Sequence, residues 1–299
     1  MAIKSKRVSD SAIEVLRAGP LAKIPWLVHG FSTRQGGTSR VYGGNALNLG
    51  YTSHDSSNAV ERNRSAFARV VASAGRGSTK SSRAWPIITA RQIHSDLIRC
   101  VSANPAQIPA ADGLITRTAG ILLGVLAADC LAVIVADTTL HAVGVFHAGW
   151  KGTLKRMVEK GVGEMQRNFS SRPRDLKAAI GPGIRGCCYD VGPELREKFA
   201  GQFSYAEKLF RETKLSDEVR EKYPLLFLSA RAPGHSELPK KIFLDLAEAN
   251  RRQLIDAGIP AKNIVDLQMC TSCRRDLFFS HRAERGITGR MMAVVGVRK

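Results

Sequence analysis

The residues best equipped for chemistry in this sequence are His94, Cys130 and His147. His94 follows a short apolar run in Arg-Gln-Ile-His-Ser. Cys130 sits beside Asp129, between two long apolar runs. His147 ends another run, in Phe-His-Ala-Gly-Trp-Lys-Gly. Strand ends are where α/β folds place reactive groups. Two imidazoles and one thiolate make a three-ligand zinc site with a fourth position open, which is the catalytic form of such sites. A zinc ion so held brings the pKa of water to about 7. The same residues also permit a different chemistry, with Cys130 as nucleophile and His94 or His147 as its base. Taken singly, each has a plainer use: a buried cysteine packs as a small apolar group, and a lone histidine is satisfied by one hydrogen bond.

Two other motifs carry weaker signals. Gly-Pro-Gly-Ile-Arg-Gly (181–186) spells G-x-G-x-x-G after a predicted strand. No helix start follows, and Pro182 occupies the turn, so a tight loop is expected and a dinucleotide site is not. Cys270-x-x-Cys273 could serve as half a metal site or a redox pair, and reduced, structural thiols are the simpler expectation.

The elements that must position these residues are short. Residues 24–31 read as a strand, and RQGGTSRVYGGN reads as a loop rich in Gly, Ser and Asn. A helix runs from about Asp55–Ser57 to Gly75, with Val60, Phe67, Val70 and Val71 mostly on one face. Residues 86–90, 122–126, 131–135, 143–146 and 176–180 read as strands. A helix is predicted to open at Thr153, with Leu154, Met157, Val158, Val162, Met165 and Phe169 at helical spacing. Further helices start near Pro193 and cover 244–257, and closing strands cover 264–269 and 292–297. Residues 204–240 resist assignment, and YPLLFL reads as either a strand or a packed loop. Strands and helices alternate without a break in composition. The expectation is a tail over 1–24 and one mixed α/β domain over 25–299.

Composition narrows the functional classes. The chain has 299 residues, 44% hydrophobic and 24% charged, with 45 Lys+Arg against 26 Asp+Glu and a net charge of +19. That balance is globular, and the length suffices for a core without disulfide staples. Six cysteines at irregular spacing do not form a secreted disulfide framework, and the N-terminus lacks an apolar signal core. The most apolar stretch, 119–136, holds Asp129 and reads as two buried strands, not a membrane span. A reducing, cytoplasmic location follows as the expectation. The positive charge raises the possibility of a basic nucleic-acid-binding protein. Its distribution points elsewhere. Residues 62–100 carry eight Lys/Arg against one Asp, whereas 112–150 carries Arg117 against Asp112, Asp129 and Asp137. Aromatics are only 6%, and no recognition motif stands out. The charge reads as a solubility and steering property.

Several long segments occur in a recognisable order: HGFSTRQGGTS, LNLGYTSHD with ERNR, RQIHSD, ADGLIT, AADC, HAGWKGT, AIGPGIRGCCYDVG, LDLAEANRRQL, and CTSCRRDLFFSHR with TGRM. Through these segments the chain resembles the YfiH/YlmD family, also called the laccase-domain or multicopper polyphenol oxidase family, from about His29 to Val297. It departs from the family pattern at His281, Ala283 and Ala132, which leaves substrate preference open.

The resemblance implies a four-layer α/β/β/α arrangement with mixed sheets, a monomer, and zinc held by His94, Cys130 and His147, with copper also described in the family. It implies purine nucleoside phosphorylase activity: inosine, guanosine, adenosine or methylthioadenosine plus phosphate gives base and sugar 1-phosphate, with adenosine deamination besides. It also brings an alternative, a cytoplasmic amidase that removes L-Ser from UDP-MurNAc-L-Ser. Within the nucleoside reading, Asp129 is a candidate proton carrier. Arg34 and Arg282 are candidate phosphate contacts, because guanidinium matches phosphate geometry. Asn48 and Gln92 are candidates for orienting ribose or base. A multicopper oxidase draws on many histidines, often in His-x-His pairs. This chain has seven, none so paired.

Overall fold

The structure is a computed structural model that describes residues 13–73, 84–102, 110–214 and 240–298. YPLLFL lies outside them. The chain divides into two compact units, residues 1–185 with 246–299, and Gly186–Asp245.

The first unit contains two mixed sheets. In one, β1 (Val15–Leu16), β2 (Leu27–Ser32), β15 (Met291–Val297), β7 (Leu122–Ala127) and β4 (Ile87–Thr89) lie side by side in that order. In the other, the order is β14 (Ile264–Asp266), β10 (Leu176–Ile180), β8 (Leu131–Asp137), β9 (Val143–Ala148), β6 (Gly113–Thr116) and β5 (Ile98–Cys100). The two sheets share one apolar core. Leu123 and Val125 of β7 and Val295 of β15 meet Ile134 of β8 and Val145 of β9 there. Side chains alternate across a strand, so Leu122 and Val294 face outward and pack on helix α2 (Ser57–Ser73) through Phe67, Ala68 and Val71. On the far side of the second sheet, helix α4 (Met157–Phe169) lies against β9. Its Gly161 is required there, since a Cβ would come within 2.5 Å of the Phe146 ring. Helix α6 (Leu246–Asp256) packs beside it on β10 and β14. The layers therefore run helix, sheet, sheet, helix. Because both sheets are covered on both faces, their central strands are continuous apolar runs with little polar alternation.

Four local readings differ from the sequence pattern. Residues from Ile13 onward, expected within a tail, form β1 and the short helix α1 (Gly19–Ala22), and bury Leu16, Ala18 and Leu21. Part of the expected Gly-rich loop is extended as β3 (Gln35–Ser39), which bridges to Ala46. The helix predicted from Thr153 begins three residues earlier, as α3 (Trp150–Leu154). Arg156, at φ 63°, then breaks it from α4. β14 stops at Asp266, and Gln268 adopts φ 55°.

The second unit pairs β11 (Asp190–Val191) and β12 (Phe210–Lys214) with a central β13 (Lys240–Leu244), all antiparallel. Helix α5 (Pro193–Ala200) precedes β12, with Pro193 at its favoured first-turn position. Arg196 on α5 bridges Glu207 and Glu212.

Candidate metal centre

His94, Cys130 and His147 converge although no two are close in sequence. Their ligand atoms lie within 4.8 Å of one another. His147 arrives on β9, next to last in the strand. Cys130 occupies the tight connection between β7 and β8, where Asp129 takes φ 84°. His94 stands in the loop after β4 with φ 56°, and its Nε2 is 4.0 Å from Cys130 Sγ. The separations suit donors that close slightly around one ion, and the N, N, S set suits a borderline-soft metal. Exposure is graded: His147 is buried, Cys130 half-buried and His94 exposed. The centre thus opens to solvent on the His94 side.

Gly149 makes this proximity possible. A Cβ at that position would sit 2.6 Å from Cys130 Sγ and 3.6 Å from His94 Cδ2. The residue begins α3 with an ordinary φ of −73°, so space and not backbone conformation calls for glycine.

Electrostatics couple Cys130 and His147. Burial alone would push the Cys130 thiol up and the His147 imidazolium down. The attraction of cation and thiolate, with help from His94 and Asp112, overrides it. The thiol is drawn well below its ordinary value and the imidazolium is held above its own.

Asp112 is the functional residue that the sequence pattern does not reveal. It is 1% exposed, and its Oδ1 lies 2.8 Å from His147 Nδ1. Burial opposes its charge, but hydrogen bonds from His147, Ser95 and Ile93 hold the carboxyl far below the usual range. Its only written signal is its place in Ala-Asp-Gly-Leu-Ile-Thr, one of the family-like segments.

Asp129, Arg34, Asn48 and Gln92 are tied into the scaffold, whereas Arg282 is exposed. Asp129 accepts Thr271 Oγ1 at 2.6 Å on one carboxylate oxygen and the Arg282 amide at 2.6 Å on the other. The Gly181–Gly186 loop is stitched to the same region: Ile184 N donates to Asp129 O, and Thr271 N donates to Gly183 O. No helix follows at 187, so the loop does not form a dinucleotide cradle. Arg34 pairs with Glu284 at 2.8 Å and lies over the Phe279 ring at 4.6 Å. It also donates to the carbonyls of Tyr42, Arg275 and Phe278. Asn48 is fully buried and ties Gly50, Asp55 and the Arg290 amide together. Gln92 pairs with the backbone of Leu126 in both directions, at 2.9 and 2.7 Å. Arg282 presents an exposed side chain on the loop that Asp129 anchors. A cavity of about 340 Å³ opens beside Arg34, lined also by Gln35, Tyr42, Asn45, Arg275 and Asp276, and none of the three metal-type donors lines it.

Comparison with known proteins places the chain among relatives of the same fold. A family model described as multi-copper polyphenol oxidoreductase laccase matches residues 28–298. The chain is 34% identical over 284 residues to the purine nucleoside phosphorylase YlmD of Geobacillus stearothermophilus, covering 91% of this chain and 90% of that protein. It is 34% identical over 182 residues to the adenosine deaminase RL5 of an unknown prokaryotic organism, 61% of this chain and 60% of that one. The crystal structure of the Bacillus licheniformis hypothetical protein YfiH superposes with a TM-score of 0.77 and 30% identity over 98% of each chain. Among the described residues, no helix is long and apolar enough to cross a membrane.

Proposed function

The chain belongs to the multi-copper polyphenol oxidoreductase laccase family, and from that premise we propose that it is a purine nucleoside phosphorylase working with one zinc ion. It cleaves inosine, guanosine, adenosine and methylthioadenosine with phosphate, releasing base and sugar 1-phosphate, and it also deaminates adenosine. The observation that carries this reading is the convergence of His94, Cys130 and His147 within 4.8 Å, together with relatives named for these activities.

His94, Cys130 and His147 hold the ion. When bound, it supplies Lewis acidity and acidifies water at neutral pH. The chain's own residues do the rest. His94, on the exposed rim, lies on the side that a nucleoside approaches. Ile93 and Leu97, 44% and 42% exposed on the same loop, offer apolar surface to a purine. Arg282 contacts phosphate through its guanidinium. Asp129 positions: its carboxylate fixes the Thr271 and Arg282 segments beside Cys130. Gln92 fixes the loop that carries His94 to the end of β7. The reading places the enzyme in the cytoplasm, where its thiols stay reduced.

The family's oxidase name is not adopted for this chain. A three-donor N, N, S cluster serves a single ion, and multicopper oxidation calls for several copper sites rich in histidine. Arginines such as Arg34, Arg185 and Arg196 are engaged in internal ion pairs, so these three do not serve as nucleic-acid contacts.

The test joins metal analysis of the purified protein to a phosphate-dependent cleavage screen on the four nucleosides. Parallel arms offer UDP-MurNAc-L-Ser and a phenol with copper. Zinc near one equivalent, base release that requires phosphate, and loss of both in Cys130→Ala are expected. Inosine cleavage at the parent rate by metal-free Cys130→Ala would sink the zinc reading.

A further inference from the structure

Asp112 does more than accept one bond from His147. Its Oδ1 takes His147 Nδ1 at 2.8 Å and the His94 amide at 3.1 Å. Its Oδ2 takes the Ile93 amide at 3.1 Å, the Ser95 amide at 2.7 Å and Ser95 Oγ at 2.7 Å. The main chain of Asp112 grips the same strand and the same loop. Its carbonyl accepts His147 N at 2.7 Å, and its amide donates to Leu97 O at 3.0 Å. One side chain therefore reaches the ring of one proposed ligand and the backbone of the other.

Each half of that grip has a physical consequence. A histidine whose Nδ1–H donates to a carboxylate has Nε2 as the nitrogen that gives up its proton to a metal, so the ligating atom and the ring direction are both set. His94 stands at φ 56°, a conformation that a non-glycine residue keeps only where its surroundings impose it. Three successive amides, of Ile93, His94 and Ser95, converging on one anion form a nest that imposes it. The carboxylate is the anion, and it is built into the chain.

We propose that Asp112 is the positioning residue of the metal centre, setting both nitrogen donors with one carboxylate before any ion arrives. The inference rests on reading His94, Cys130 and His147 as the metal ligands. Ser95 supports it as the hydroxyl donor to Oδ2.

The substitution that tests it is Asp112→Asn. The amide keeps one acceptor, and in either orientation its NH2 faces groups that are themselves donors. Ser95→Ala removes a single donor and is the milder variant. Folding of each apoprotein is checked by circular dichroism and melting. Affinity for Co2+ and Zn2+ is then measured by competition with a chromophoric chelator, and the Co2+ absorption spectrum reports donor geometry. A folded Asp112→Asn is expected to bind each ion roughly 10–100-fold more weakly, with shifted cobalt bands. Ser95→Ala is expected to lose only several-fold, with bands unchanged. In the parent protein loaded with zinc, the nitrogen resonances of the His147 ring are expected to show Nδ1 protonated and Nε2 on the metal. That measurement stands even where Asp112→Asn does not fold.

Parent-like affinity and spectrum in a folded Asp112→Asn would overturn the inference, as would a protonated Nε2 on His147. A Cys130→Ala protein that binds Co2+ like the parent would overturn the metal reading itself. The two failures are therefore distinguishable.

Discussion

Two histidines are buried in the paired sheets, His29 on β2 and His147 on β9, at 1% and 4% exposure. Their fates diverge. His29 Nε2 accepts the Ala18 amide at 3.1 Å. Burial, with the Arg17 charge beside it, drives its pKa down to about 3. His147 meets a carboxylate and a thiolate, and its pKa goes up. Burial is common to both. What differs is the partner: a backbone donor makes a histidine part of the scaffold, whereas anions make it chemically addressable. The same contrast separates Arg34, spent on Glu284 and three carbonyls, from the cluster around Cys130.

Exchanging the two histidines for glutamine gives the largest expected effect. His147→Gln should lose bound metal and nucleoside cleavage to background, while His29→Gln retains both in its folded fraction. Metal analysis and a phosphorolysis assay on the two variants check this, and loss of metal in His29→Gln alone would break the contrast. Gly149→Ala comes next. Its added methyl displaces Cys130 Sγ without straining the backbone, and an ångström of misplacement costs about a hundredfold in turnover. The melting temperature should stay near the parent value. Arg34→Ala should do the reverse. Breaking a partly buried ion pair and its carbonyl bonds costs about 2 kcal/mol of stability by denaturant titration, with Co2+ affinity within twofold of the parent.

A more gradual effect, small near neutrality, is a slope with pH. The folded pKa of His29, about 3, lies below its ordinary value of 6.5. Above about pH 6.5 both folded and unfolded states are neutral there, and the histidine opposes nothing. As pH falls from 6.5 toward 3, the unfolded chain takes up a proton that the folded chain refuses. Stability then drops by about 1.4 kcal/mol per pH unit from this group. Urea titrations at pH 7, 6 and 5 should show the decline, and His29→Gln should flatten it. An equal slope in that variant would assign the acid sensitivity to other groups.

Much of the scaffold is legible in the residues. β7, β8 and β9 announce themselves as apolar runs because both faces of their sheets are covered. Where the reading fell short, folding supplied the information. No glycine or proline marks the break at Arg156, so the periodicity of Leu154 to Phe169 runs through it unnoticed. A two-residue strand at Val15 is too short for any period. The three donors stand out by residue type and by the segments around them. Asp112 does not, because an aspartate before a glycine reads as a turn former. Its role exists only after β6 and β9 pair and bring His147 against it. Arg34 is the opposite case: its charge is written in the sequence, whereas its pairing with Glu284 spans 250 residues and is not.

β15 lies between β2 and β7, and the Met292 amide donates to Ser32 Oγ across 260 residues. Until that strand docks, the first sheet is two separate pieces, each with a long unpaired edge. Contacts this distant make loop closure slow and leave the open edges as templates for pairing with other chains. Assembly of this protein is therefore gated by a strand distant in sequence from both of its neighbours. Its yield in refolding should fall with chain concentration more steeply than its native stability alone would suggest.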